Sequence, residues 1–372
     1  MHILVLPSWY PTKEDPINGS FFAEQAEALA RHGHRVSVIA LYGDADRGYR
    51  VEESRRGAVT EYAIHYRILR FHLSILPVAR ALTELFSTAF RDSRPDIVHV
   101  HSFRVIRYAR LIKRLYRIPF VVTEHVSWFE RGMLSERDLR AISSDYAAAS
   151  AVIAVSRGLK EQIQPLCPQT VQVVPNLVWE RFFQNPLERR AGEGFHFLSI
   201  GTLNRNKGMD AVIAAFAEVL RSHPESTLTI CGDGEERAAL ERQAAELSVA
   251  DKVRFTGRVS REQCAEYYAE CGAFVLASRV ETFGLVLAEA MACGRPVVMT
   301  KSGAWRELVS EETGLAVDAD DIPALAEAMS AMIRNADRYD PAAIRACCRD
   351  RFSPETVCRS LTKIYEEVLR SR

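Results

Sequence analysis

Two glutamates, Glu281 and Glu289, stand eight positions apart in the segment VETFGLVLAEAMACGRPVV, residues 280–298. From Phe283 to Gly294 the segment is almost wholly apolar or small, and Glu289 is its lone acid. A carboxylate in an apolar helix costs several kcal/mol unless something pairs with it. If both acids lay in one helix they would be ~12 Å apart along the axis and ~80° apart around it. That spacing excludes the close carboxylate dyad of glycosidases. It suits two separate parts of one extended ligand. Thr282, Phe283 and Gly284, lying between them, would offer the free N–H groups of a helix start to an anion. A ligand with hydroxyls at both ends and phosphates in the middle fits, and a nucleotide-sugar is such a ligand.

Other segments carry residues of the same chemistry. SIGTLNRNKGMD (199–210) reads as a strand, a glycine turn and a helix start bearing Arg205 and Lys207. Two cations beside a helix N-terminus would suit a diphosphate, but by itself Lys207-Gly208 reads more readily as the opening of a solvated helix. CGDGEE (231–236) resembles a phosphate loop but lacks both G-x-G-x-x-G and Walker A spacing, and a tight capped turn explains it as well. In PSWYPTKEDPINGSFFAEQAEAL (7–29), Gly19 stands just before a helix, where a glycine lets a substrate approach the backbone. TEHVSWF (123–129) places His125 beyond the end of a strand, with no metal-like partner spacing. His99 and His101 alternate around Val100, which reads as core packing rather than a metal pair.

The elements that must position these residues alternate along the chain. HILVL (2–6), RVSVIAL (35–41), DIVHV (96–100), FVVT (120–123), AVIAVS (151–156) and VQVVP (171–175) read as strands, with helices at 20–32 and 104–117 among them. The pattern restarts with strands at 195–201, 226–232, 253–257, 273–278 and 295–300. Helices at about 208–222, 235–247, 260–270 and 284–293 separate them. Continuous apolar strands between helices imply parallel sheets covered on both faces. The expected fold class is therefore α/β, with two doubly wound, Rossmann-like domains and a ligand cleft beyond the carboxyl ends of the strands. The expected domains are 1–185 and 194–353, joined by the polar stretch NPLERRAGEG (185–194), with a last helix at 354–372 packing back onto the first domain. Loops are expected at 7–20, 42–60 and 124–135.

Bulk composition narrows the classes further. The 372 residues carry 48 Lys+Arg and 48 Asp+Glu, with 23 of the cations and 18 of the acids in residues 1–170. A dedicated duplex-binding protein would be more lopsided, so no nucleic-acid partner is expected. Eight cysteines without CxxC spacing suit buried free thiols in a reducing compartment. No secretory signal and no apolar run of 18 residues is present, so a cytoplasmic location is expected. Arg104, Arg107, Arg110, Lys113, Arg114 and Arg117 mostly share one side of a helix, opposite Val105, Tyr108, Leu111, Ile112, Leu115 and Tyr116. That side could lie against anionic lipid at the inner face of a membrane or be a solvated face. HYRILRFHLSILPVAR (65–80) favours the lipid reading.

Taken together, the motifs resemble a known family. The E-x7-E run from Glu281 to Glu289 resembles the signature of retaining GT-B glycosyltransferases, the group called family 4. PINGSFFAEQAEALARHGHRVSVI, TEHVSWF, AVIAVSRGL, VQVVPNLV, GTLNRNKG, ICGDGEE, VRFTGRV and SGAWRELV resemble its other landmarks, over nearly the whole chain. The resemblance implies sugar transfer with retention, from a nucleotide-sugar donor to a glycan, lipid-linked or cell-surface polysaccharide acceptor. It implies a hexosyltransferase with no cofactor and no essential metal.

By resemblance, Glu289 would accept hydrogen bonds from the donor ribose and Glu281 would sit near the transferred sugar. Lys207 with Arg205 would neutralise the diphosphate, and His125 would lie close to the reacting sugar. Gly19, Thr202, Arg258, Val259, Thr282, Phe283, Gly284 and Leu285 would line the donor, with Arg258 and Val259 beside the base. The family often has Arg where this chain has Thr202, Gly where it has Leu177, and Gly where it has Ala304. A sugar-nucleotide epimerase or phosphorylase on the same scaffold, transfer to a small-molecule acceptor, and a non-catalytic sugar-binding protein are the alternatives.

Overall fold

A computed structural model describes residues 1–69, 74–187 and 194–371. It divides into two compact units, Met1–Leu177 with Pro354–Arg372, and Val178–Ser353.

The first unit is an eight-stranded sheet. Its strands are β1 (His2–Pro7), β2 (Arg35–Tyr42), β3 (Tyr49–Arg56), β4 (Val59–Tyr66), β5 (Ile97–His101), β6 (Phe120–Glu124), β7 (Ala151–Ala154) and β8 (Gln172–Val173). They lie in the order β3-β4-β2-β1-β5-β6-β7-β8, all parallel except for the antiparallel β3–β4 pair. Every residue of β1, β5, β6 and β7 is buried, because helices cover both faces and leave no polar side to alternate. The β3–β4 hairpin corrects the expectation of a loop over 42–60. Its outer strand, YRVEESRR, has no buried residue and only two apolar ones, so it carries little apolar signal, as suits the edge of a sheet. The strand expected at 171–175 is only the two residues of β8.

The helix Pro354–Arg370 belongs to this unit. It buries Val357, Cys358, Leu361, Ile364 and Tyr365 in one core with Phe22, Ala26 and Leu29 of the helix Ser20–Arg31. Thr362 Oγ1 lies 2.8 Å from His34 Nε2. The helix Ile106–Tyr116 buries Ile106, Tyr108, Ala109 and Ile112 and exposes Arg107, Arg110, Lys113 and Arg114. Leu115, expected on its apolar side, is instead exposed.

The second unit holds β9 (His196–Ile200), β10 (Thr227–Cys231), β11 (Val253–Gly257), β12 (Ala273–Leu276), β13 (Val297–Thr300) and β14 (Gly314–Val317). Their order is β11-β10-β9-β12-β13-β14, all parallel, the doubly wound arrangement in which the chain runs outward in opposite directions from one central pair. That central pair is β9 and β12. β14 is an addition to the expected strands; GLAV is too short to show a period.

Most of the expected linker 185–194 lies outside the described residues, as does part of 65–80. The division between the units falls at Leu177–Val178 instead of 185, and packing explains why. Val178 donates its N–H to Phe352 O (2.8 Å), Phe182 packs edge-on against Tyr268, and Asn185 Nδ2 reaches Ala265 O (2.6 Å), all within the second unit. All eight cysteines are free thiols, seven of them buried.

Candidate active site

In open α/β sheets a ligand binds beyond the carboxyl ends of the two strands at which the winding reverses. In the second unit these are β9 and β12, and the loops that follow them carry Lys207 and Glu281. Asn204 caps the short 3-10 turn Arg205–Lys207, its Oδ1 accepting from Lys207 N at 3.2 Å. Gly208 follows with φ +66°, and a Cβ there would stand 1.9 Å from Ala277 O. Only glycine lets the Lys207 loop rest so closely on the chain leaving β12.

A second clip joins the same two loops. Asn206 and Val280 exchange hydrogen bonds, Nδ2 to O at 2.8 Å and Oδ1 from N at 3.2 Å. Arg279 donates to Asp210 (Nη1–Oδ1 3.1 Å, Nη2–Oδ2 2.8 Å), to Asp320 (2.8 Å) and to the carbonyl of Arg205. Burial pulls the Asp210 carboxyl upward, but Arg279 outweighs it and holds it below the usual carboxylate range.

The outcome is a contact between the two expected groups. Lys207 Nζ donates to Glu281 Oε2 at 2.5 Å, and Ser278 Oγ lies 3.4 Å from the same oxygen. The helix Leu285–Ala292 begins immediately beyond. Gly284 caps it in the left-handed conformation, and the first hydrogen bond of the turn runs from Leu287 N to Gly284 O. The N–H groups before that have no intrahelical acceptor, and the helix dipole makes this end attractive to an anion. The side chain of Phe283 packs on Phe352 and is buried, so Phe283 offers its amide only.

Glu281 precedes this helix, so the two acids do not share one. Glu289 does lie in it, 1% exposed, and it is not alone. Arg261 Nη1 ion-pairs with its Oε1, and the hydroxyl of Tyr268 lies 3.1 Å from its Oε2. Burial first, then the charge of Glu289, raises the Tyr268 hydroxyl well above its ordinary value, so it stays a proton donor. Arg261 is aimed by a capping box: Ser260 Oγ accepts from Gln263 N while Gln263 Oε1 accepts from Ser260 N, which starts the helix Arg261–Glu270 at this residue. Its guanidinium also stacks on Phe182 (5.0 Å). Sequence reasoning missed Arg261, Tyr268, Arg279 and Asn206. Of these only Ser260-x-x-Gln263, as a helix-start pattern, left a sequence trace.

Thr202, Arg205 and Arg258 are exposed; Val259 and Leu285 are half-buried; Thr282 and Gly284 are buried. Asp233 O accepts from the N–H of Leu203, and Gly232 pairs with Gly257, so CGDGEE braces the loop after β9.

In the first unit Gly19 has φ +77° and caps the helix Ser20–Arg31; a Cβ there would meet Trp9 O at 2.9 Å. His125 follows β6 and is pinned through its main chain. Glu124, fully buried, accepts from His125 N (2.9 Å), Val126 N (3.1 Å), Phe103 N (2.9 Å) and Tyr146 OH (2.9 Å). His125 Nε2 lies 3.0 Å from His101 Nδ1. Burial lowers His125 to about 3, His99 adds to the shift, and the side chain of Asn176 opposes it. No hydrogen bond of good geometry reaches its Nδ1. His99 is the core residue expected, bonded at both nitrogens, to Thr123 Oγ1 (2.7 Å) and Tyr365 OH (2.6 Å). Among the described residues no cluster of three or more His, Cys, Asp or Glu could hold a metal ion, and no helix is long and apolar enough to cross a membrane.

A family model described as glycosyl transferases group 1 matches residues 182–346, and one described as glycosyltransferase family 4 matches residues 19–178. A glycogen synthase from Mycobacterium tuberculosis is 30% identical over 293 residues, covering 74% of this chain and 69% of the relative. The chain belongs to glycosyltransferase family 4. Another relative of this family 4 protein, a D-inositol 3-phosphate glycosyltransferase from Frankia alni, is 31% identical over 64% of this chain and 66% of its own length. Among solved structures, the sucrose-phosphate synthase of Thermosynechococcus elongatus superposes with a TM-score of 0.77 at 20% identity, over 100% of both chains. Anabaena HepE in complex with UDP superposes with a TM-score of 0.76 at 18% identity, over 99% of this chain and 100% of that one. The family 4 chain thus has the GT-B fold, two Rossmann-like domains.

Proposed function

We propose that this glycosyltransferase moves a sugar, with retention at the anomeric carbon, from a nucleotide-sugar to a glycan, lipid-linked or cell-surface polysaccharide precursor. The observation that carries the reading is the Lys207–Glu281 pair beside the N-terminus of the helix Leu285–Ala292, at the winding reversal of the second unit. As the nucleoside diphosphate leaves, negative charge builds on its phosphates. Fixed cations and helix N–H groups lower that barrier, and one such donor is worth ~10²–10³ in rate. Lys207, with Arg205, takes this role, helped by the amides of Thr282, Phe283, Gly284 and Leu285.

Glu281 holds the transferred sugar and Glu289 the ribose, with Arg258 and Val259 beside the base and Thr202 and Gly19 beside the phosphates. His125 contacts the reacting sugar. No essential metal and no nucleic acid take part. Donor use is supported by the HepE complexes with UDP and with UDP-glucose. Acceptors of the polysaccharide class are supported by the glycogen synthase relative and by a lipopolysaccharide core mannosyltransferase of Rhizobium meliloti, 31% identical over 46% of this chain. The exposed cations Arg107, Arg110, Lys113 and Arg114, with exposed Leu115, support contact with an anionic membrane at its cytoplasmic face.

The test is to incubate the wild type with UDP-, GDP- and ADP-sugars and oligosaccharide acceptors and follow the anomeric proton by NMR. Retention of the donor configuration in the product supports the proposal; an inverted product, or an epimerised donor without acceptor, overturns it.

A further inference from the structure

Behind His125 lies a second buried imidazole. The His101 ring packs against two tilted rings, Phe22 at 4.6 Å and His99 at 4.2 Å, and Phe22 also meets His125 edge-on at 5.0 Å. His99 is itself fixed at both nitrogens by Thr123 and Tyr365, so it cannot turn to release His101. Burial, with the neighbouring rings, pushes His101 well below its ordinary value, and His125 to about 3. Both rings are therefore neutral at physiological pH. A neutral imidazole has one N–H and one acceptor nitrogen. The 3.0 Å contact between His101 Nδ1 and His125 Nε2 then needs one ring to donate and the other to accept. Whichever holds, the proton state of the opposite nitrogen of His125 is decided by it. That nitrogen, Nδ1, is buried, and the side chain of Asn176 acts on the same ring.

We infer that His101 is a positioning residue for sugar transfer: its hydrogen bond to His125 Nε2 fixes one tautomer and one ring orientation of His125. The inference rests on the reading above that His125 contacts the reacting sugar. The main chain of His125 is held separately by Glu124, so loss of His101 frees the ring without moving the loop.

The direct test is long-range ¹⁵N–¹H NMR of the histidine rings in the full chain, with His101→Asn and His101→Phe beside the wild type. Asn sets an amide where the imidazole Nδ1 was; Phe keeps a ring and removes the bond. The wild type is expected to show His125 as one neutral tautomer, His101→Phe a mixture, and His101→Asn one tautomer again. With the nucleotide-sugar that the wild type turns over, His101→Phe should lose about 10- to 100-fold in kcat at unchanged nucleoside diphosphate affinity, and His101→Asn should regain most of it. A mixed or protonated His125 in the wild type at pH 7 overturns the inference even if no variant folds. So does a His101→Phe protein with one tautomer or undiminished kcat. Undiminished kcat in His125→Ala would overturn the underlying reading instead, while leaving the tautomer result standing.

Discussion

Arg261 stands in the first turn of its helix and closes an ion pair on Glu289, 28 residues along the chain and almost wholly buried. With the hydroxyl of Tyr268 it supplies partners that an acid in an apolar helix requires. A ribose that hydrogen-bonds Glu289 would meet a carboxylate already oriented from two sides.

Breaking a buried pair by removing one partner costs about 3–5 kcal/mol, because the other charge stays behind. Arg261→Ala is expected near the lower end, since the guanidinium side is partly exposed. Tyr268→Phe removes one donor and should cost about 1–3 kcal/mol. Urea denaturation of both variants checks this; an Arg261→Ala cost below that of Tyr268→Phe would contradict the pairing.

The Lys207–Glu281 pair should behave in the opposite way. Both side chains are partly exposed, and such pairs contribute about 0–1 kcal/mol to stability. Lys207→Ala is therefore expected to melt close to the wild type while its kcat falls ~10²–10³-fold. Thermal denaturation alongside turnover separates the two; a large fall in melting temperature would make Lys207 a structural residue.

Arg279 acts one step further back, holding the 205–210 loop to the chain that carries Glu281. Arg279→Ala should weaken nucleoside diphosphate binding although Arg279 is not proposed to touch it. A 1 Å displacement of positioned groups costs up to about 10² in rate. A double-mutant cycle with Asp210→Asn, read by calorimetry, is expected to be non-additive, and strict additivity would deny the clip.

The buried histidines give a pH dependence whose sign is fixed. His99 and His125 titrate near 3 in the folded chain and His101 well below its ordinary value, against 6.5 when unfolded, so the unfolded chain binds the extra protons. Stability is full above 6.5 and falls as the pH drops toward 3, by up to about 1.4 kcal/mol per pH unit for each ring. His2 and His34, also lowered by burial, add in the same direction. The slope of unfolding free energy between pH 6.5 and 5 reads this above most carboxylate titrations, and His101→Asn should reduce it by about one proton.

Much of the architecture could be read from residue order, since strands buried on both faces are apolar throughout and need no partner to be recognised. The E-x7-E run and the Lys207 turn lie in loops that the fold brings into contact. What stayed hidden depends on closeness between distant positions. Arg261, Tyr268 and Arg279 look like ordinary surface or helix residues until β9, β10, β11 and β12 are laid side by side. The β3 edge strand has only Tyr49 and Val51 as apolar residues, and β14 has only four residues, so neither shows a clear period. Glu281 lies outside the helix that holds Glu289, as the expected helix at 284–293 implies, because Gly284 starts it after Glu281.

In the proposed mechanism Lys207 meets the phosphates of a nucleotide. Isothermal titration of nucleoside diphosphates into the wild type and Lys207→Ala, with a chelator present, tests it most directly. The account predicts binding without a divalent metal and a loss of about 1.5–3 kcal/mol in the variant, the range of a charge-assisted hydrogen bond. Equal affinity in the two proteins, or binding that appears only with magnesium, would contradict it.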